Sequence, residues 1–335
     1  MVQFWLGTFP LAGRAGELAR MAEADGWDGI AFTDSQNLGG DTFAALALAA
    51  HATSTLQLAT GATNCATRHP AVVASAIATI QVESGGRAHL GIARGDSALA
   101  FIGRKPQSLS DFERGVSDVR RYLHGETVDC GGFPSRLEWL APDLPRVPIG
   151  IAATGPRVIE LAAKLADRVT LSVGADVNRL QDAIALVRRS GQHQLSVGAY
   201  INAVAHPDIR RARELVRGRL SVYARFSTMD THVMRSLPDR DRAVAQNLRD
   251  HYDLQAHASS GAHHEAALTD DFVDRFGVVG PSERVAARLL DLARLGLDHF
   301  IIVGHGRNVS PEVLAESSRR FGHEVIPAVR AALAH

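Results

Sequence analysis

Cysteine is scarce in this chain: 335 residues hold two, Cys65 and Cys130. That excludes a disulfide framework and a cysteine-built metal cluster. Lysine is as rare, with Lys105 and Lys164 the two present, so arginine carries nearly all the basic charge. The bias reads mainly as GC-rich coding, and only secondarily as a preference for arginine as an anion binder. Excess charge of either sign is missing too, since 36 Lys and Arg balance 36 Asp and Glu. With no basic run, nucleic acid is not expected as a partner. No apolar stretch nears the roughly 20 residues that a membrane-spanning helix needs. Residues 1–9 lack the basic start and long apolar core of a signal peptide. A soluble cytoplasmic protein with no membrane partner is expected.

Several catalytic signatures are absent as well. No His-x-His opens the chain, although many metal-dependent barrel hydrolases carry one on the first strand. The histidines between 251 and 264 fall in an irregular segment without paired helical carboxylates. No metal site is therefore expected. Gly-x-Ser-x-Gly after a strand, the mark of many serine hydrolases, does not occur. The glycine fingerprint of dinucleotide-binding folds is also missing.

What the chain does have is alternation. Short apolar runs at 2–6, 29–32, 56–60, 88–92, 147–152, 169–172, 195–203 and 299–303 predict strands. Helical patterns fill the intervals at 13–25, 42–51, 71–83, 157–166 and 282–295. Asp41 is the expected N-cap of the second helix, and Pro70, Pro156 and Pro281 fit first helical turns. Eight strands in βα units predict an α/β fold, a (β/α)8 TIM barrel with insertions, as one domain over residues 1–335. Two stretches interrupt the alternation. Residues 125–146 are rich in Gly and Pro, and residues 226–276 are too long for a plain connection. The second is expected to be a helical insertion near the barrel mouth.

Polar, small residues cluster after the strands. Asp34 follows the second; Gly61, Ala62, Thr63 and Asn64 follow the third; Arg94, Gly95 and Asp96 follow the fourth. In a barrel these converge on one rim, where carboxylates without a cation are costly and so usually have a task. Asp34 and Asp96 are the candidate catalytic groups. Ala153, Thr154 and Gly155 precede a helix whose N-terminus suits a phosphate, and Gly174 and Ala175 are the candidate opposite wall. Taken singly, each glycine turn is an ordinary junction. His69 reads as a helix-opening residue and Cys65 as an unreactive filler.

The run from Gly61 to Leu99 resembles the signature region of luciferase-like flavin and deazaflavin enzymes. It is most similar to the branch typified by F420-dependent methylenetetrahydromethanopterin reductase. Residues 22–29, Thr33-Asp34, the stretch 152–169 and residues 276–281 add to the resemblance. The resemblance implies a non-proline cis peptide at Gly61-Ala62 behind a deazaflavin ring. It implies cofactor contacts from Asp34, Thr63 and Asn64, a reacting face bordered by Gly95 and Asp96, and phosphate at Thr154 and Gly155. Coenzyme F420 is thus the expected cofactor, reducing an activated C=C or C=N bond in a small-molecule or modified-peptide substrate. A homodimer is implied. Two departures are visible: Ser35 stands where many F420 relatives have His, and Gly7-Thr8 where the reductase has Glu. Two other readings stay open at this point, an FMN-dependent monooxygenase fed by a separate reductase and a non-catalytic flavin-binding barrel.

Overall fold

Eight parallel strands close on themselves in this computed structural model, which describes residues 1–191, 195–229 and 231–334. They are β1 (Gln3–Thr8), β2 (Gly29–Phe32), β3 (Gln57–Thr60), β4 (Ala88–Ile92), β5 (Ile149–Ala153), β6 (Arg168–Leu171), β7 (Ser196–Ile201) and β8 (His299–Ile302). Each pairs with its predecessor, and β8 closes on β1 in the register Gln3 to His299 through Leu6 to Ile302. Helices run between the strands, so the fold is the expected (β/α)8 TIM barrel.

Large side chains plug the N-terminal end of the barrel. The Trp5 ring meets His89 edge-on at 5.1 Å, and the Arg168 guanidinium lies over it at 5.1 Å. His299 Nε2 meets Thr170 Oγ1 at 2.9 Å. Glycines on neighbouring strands make the room. A Cβ on Gly29 would stand 2.3 Å from the Trp5 ring, and one on Gly198 would stand 2.3 Å from the His299 ring. A filled lower end leaves the cavity to the C-terminal ends of the strands. Outside the barrel, strand residues such as Phe4, Ile30, Leu58 and Leu90 are fully buried beneath the helices.

Helix starts follow the local chemistry. Asp41 Oδ1 accepts from the N–H groups of Phe43 and Ala44, both at 2.9 Å, and so caps Thr42–Ala52. His69 Nδ1 accepts from the Ala71 N–H at 3.2 Å and caps Pro70–Glu83, which is the structural role read for it.

The seventh strand is shorter than its apolar run. Asn202 ends it by donating from Nδ2 to the Val303 carbonyl at 3.1 Å. The chain then leaves the barrel, and Ala203–Ala205 pairs in parallel with Val278–Gly280 in a separate two-stranded sheet. Within residues 125–146, Val128–Asp129 and Pro134–Ser135 form a minimal antiparallel pair. Residues 226–276 contain the helices Thr231–Ser236, Asp239–His251 and Asp270–Phe276 and a 3-10 turn, His263–Ala267. Asp239–His251 and Asp270–Phe276 pack on the long helix Ile209–Phe226 through an apolar cluster that includes Leu220, Leu248 and Phe272, and Thr231–Ser236 packs on Asp239–His251 through Met234 and Ala245.

Candidate functional site

A cavity of about 620 Å³ opens at the C-terminal ends of the strands. Asp34, Gly61, Ala62, Asn64, Arg94, Gly95, Asp96, Thr154 and Gly155 all line it. Thr63 lies behind this wall, fully buried, and Ala153 is sealed beneath the rim. Gly174 and Ala175 belong elsewhere. Gly174 has φ +83, and a Cβ there would enter the Phe276 ring; the Ala175 N–H donates to the Phe276 carbonyl at 2.7 Å. This loop therefore seats the helix Asp270–Phe276, and Ser172 is its contribution to the cavity.

The wall after β3 is built from backbone and small side chains. The Gly61-Ala62 peptide is cis. Gly61 N–H donates to the Phe32 carbonyl at 2.7 Å, and Thr63 N–H to the Gly91 carbonyl at 2.9 Å, which fixes the turn to its neighbours. Asn64 Oδ1 accepts from the N–H groups of Ala66 and Thr67 at 3.0 and 2.9 Å, so its carbonyl is spent on shaping the loop. Gly95 has φ +79, and a Cβ there would approach Leu99 at 2.8 Å, so both conformation and space require glycine.

Two carboxylates border the cavity, each held by an arginine. Asp34 Oδ2 accepts from Thr63 Oγ1 at 2.6 Å and from Arg68 at 2.5 Å. Burial nevertheless raises its pKa above the usual aspartate value, with Thr63 and Arg68 opposing the shift. Asp96 pairs with Arg225 at 2.9 Å and is likewise raised by burial. Arg94, Lys105 and Arg157 gather near the helix Pro156–Leu165, whose N-terminus no side chain caps. None of the three has a carboxylate partner among the described residues. Arg94 Nε donates to the Gln107 carbonyl at 2.7 Å, and the Arg157 charge lies close enough to depress the Arg94 pKa further after burial.

Across the cavity stand Phe9, Tyr200, Arg219, Val222, Tyr223, Phe226 and His257. Tyr200 and Tyr223 rings lie 5.7 Å apart, and Tyr252 hydroxyl meets His257 Nδ1 at 2.8 Å. Burial drives His257 down to about 3, which makes it a neutral wall residue at ordinary pH. Cys65, packed against Gly115, is pushed up to about 12 by burial and is inert as a nucleophile.

A family model described as luciferase-like monooxygenase matches residues 6–299. The chain belongs to this family. Its relatives include a 5,10-methylenetetrahydromethanopterin reductase of Methanolobus tindarius, 26% identical over 323 residues, covering 92% of this chain and 94% of that protein. Among solved structures, the coenzyme F420-dependent tetrahydromethanopterin reductase from Methanopyrus kandleri superposes with a TM-score of 0.79 at 20% identity, over 97% of this chain and 99% of that one. An F420-dependent secondary alcohol dehydrogenase in complex with an F420-acetone adduct gives 0.76 at 19% identity, over 98% and 99%. These two likenesses concern the fold.

Sequence reasoning missed Arg68, Arg219, Arg225, Tyr200, Tyr223 and His257 in this luciferase-like chain. Arg68 sits in a loop already singled out, between Thr67 and His69, and the nearby unpaired Asp34 was the available signal. Arg219 and Arg225 had none beyond an arginine-rich helix.

Proposed function

We propose that this luciferase-like protein is a coenzyme F420-dependent oxidoreductase that reduces an activated C=C or C=N bond. The observation that carries the proposal is the charge distribution around the cavity. Asp34 and Asp96, its acidic lining residues, are each neutralised by an arginine. Arg94, Lys105 and Arg157 remain uncompensated beside an uncapped helix N-terminus. Such a corner suits a polyanionic tail, a phosphodiester extended by glutamates, better than the single phosphate of FMN. The wall after β3 and β4, with Gly61, Ala62 and Gly95, offers little side-chain bulk and leaves room for a flat ring. The names of the two structural neighbours support the same cofactor.

Thr154, Gly155, Arg94 and Arg157 would hold the tail, and Asp34, Gly61, Ala62, Asn64 and Gly95 would surround the ring, with Thr63 behind them holding Asp34 in place. When bound, F420 supplies a hydride to the substrate. The protein's own share is the proton and the exclusion of water. Asp34 and Asp96 hold a proton more readily than exposed aspartates do, because burial disfavours their charged forms. Phe9, Val222 and Phe226 give the substrate side an apolar boundary.

Anaerobic mixing of the protein with reduced F420 and panels of enones, enoic acids and imines tests the proposal. Return of the oxidised cofactor's visible absorbance with at least one acceptor is expected. No turnover with any acceptor, joined to oxygen-dependent product formation from reduced FMN, overturns it in favour of the monooxygenase reading.

A further inference from the structure

Arg219 carries a charge that the protein leaves uncompensated. It is 4% exposed, on the buried side of the helix Ile209–Phe226. No carboxylate lies within ion-pair distance of it among the described residues. Its guanidinium rests on the Phe9 ring at 4.2 Å, and its one hydrogen bond among the described residues, to Thr33 Oγ1, is a long 3.5 Å. Arginine does not shed its proton to escape burial, so a buried guanidinium normally has an anionic partner. Asp34 and Asp96 are already committed to Arg68 and Arg225.

The setting favours an external anion. Thr33, Arg219, Tyr200 and Tyr223 line the same cavity. Tyr223 stands one helical turn on from Arg219 with its ring 5.7 Å from that of Tyr200, and neither hydroxyl has a hydrogen-bond partner among the described residues. A planar cation with free donors, flanked by two phenols and resting on Phe9, matches a carboxylate on a flat apolar body. The space that Arg219 also touches on its other side, about 50 Å³ beside His305, is too small for such a molecule.

We propose that Arg219 is the specificity-determining residue of the substrate site and that the substrate bears a carboxylate which pairs with it. This deepens the reading of the cavity as an oxidoreductase site and rests on it. Thr33, Tyr200 and Tyr223 complete the carboxylate subsite, on the side of the cavity away from Arg94 and Arg157.

Calorimetric titration of the wild-type protein with cinnamate, sorbate and phenylpyruvate, with cinnamamide and with phenyl phosphate tests the proposal. At least one acid is expected to bind saturably, and cinnamate about tenfold or more tighter than its amide. R219Q should erase that preference, R219K should retain part of it, and R219Q should leave F420 affinity within about twofold. Equal binding of acid and amide, unchanged acid affinity in R219Q, a preference for phenyl phosphate over every acid, or no saturable acid binding each overturns it. If R219Q does not fold, the acid-to-amide comparison on the wild type decides alone. Because the titration needs no cofactor, failure of F420 to bind shows separately.

Discussion

Arg225 reaches back 129 positions to Asp96 and donates to its carboxylate at 2.9 Å, joining the loop after β4 to the long helix at the barrel mouth. The same guanidinium lies 4.7 Å over the Tyr252 ring, whose hydroxyl meets His257. Loop, helix and the segment after the helix are thereby linked at one charged contact.

Breaking that contact from the cationic side should be costly. R225Q leaves Asp96 buried without its counter-charge, so its pKa should rise further. The alkaline limb of the pH–kcat/KM profile, on which Asp96 loses its proton, should then move to higher pH, while the severed tie between loop and helix should lower kcat/KM by about tenfold across the profile. An unmoved limb would detach Asp96 from the chemistry.

Asp34 is expected to matter more than its loop neighbours. D34N keeps the shape but removes a proton carrier, and should lower kcat by roughly 10² to 10³. T63V removes one of the two donors to Oδ2 and should cost on the order of tenfold or less. Steady-state rates of the two variants beside the wild type check the ranking.

Acid should unfold this protein early. Burial lowers His89 and His257 to about 3, and His299 and His305 to about 4. In the unfolded chain each titrates near its ordinary value of about 6.5. Between those limits the unfolded state binds protons that the native state refuses. Stability is therefore complete above about pH 6.5 and falls as the pH drops, by up to about 1.4 kcal/mol per pH unit for each histidine. Asp34 and Asp96 act in the opposite sense, because their raised values let the native state take up protons first. Four histidines outweigh two acids. The urea midpoint should be clearly lower near pH 5 than near pH 7, and equal midpoints would refute the assignment.

A homodimer is proposed through the helices that follow β2 and β3. Thr42–Ala52 and Pro70–Glu83 pair large exposed apolar side chains with a well-buried inner face, leaving Leu48, Val72 and Val82 more than half exposed. Sedimentation should give a dimer for the wild type and a monomer for the L48E/V72E double variant. A monomeric wild type would remove the proposal.

The barrel was legible because each strand is a short apolar run that stops at a glycine or polar turn, and β2 and β4 begin and end where their runs do. The run at 195–203 misled at its end, since Asn202 turns the chain out of the barrel through a contact made 101 positions away. The rim after β3 and β4 was equally legible, being local in sequence. Gly174 and Ala175 were not: their glycine-rich spelling fits a phosphate loop, but they serve a ring that arrives from Phe276. Arg219 and Arg225 were invisible because Ile209–Phe226 carries six arginines, and only packing separates Arg219, which lines the cavity, and Arg225, which pairs with Asp96 at its border, from the other four.

The most direct test of the central claim is an equilibrium titration of the protein with F420 and, separately, with FMN, repeated on the R94Q/R157Q double variant. The account predicts saturable F420 binding, weaker FMN binding, and loss of about tenfold or more of F420 affinity in the variant. Tight FMN binding with none of F420, or F420 affinity indifferent to Arg94 and Arg157, would contradict it.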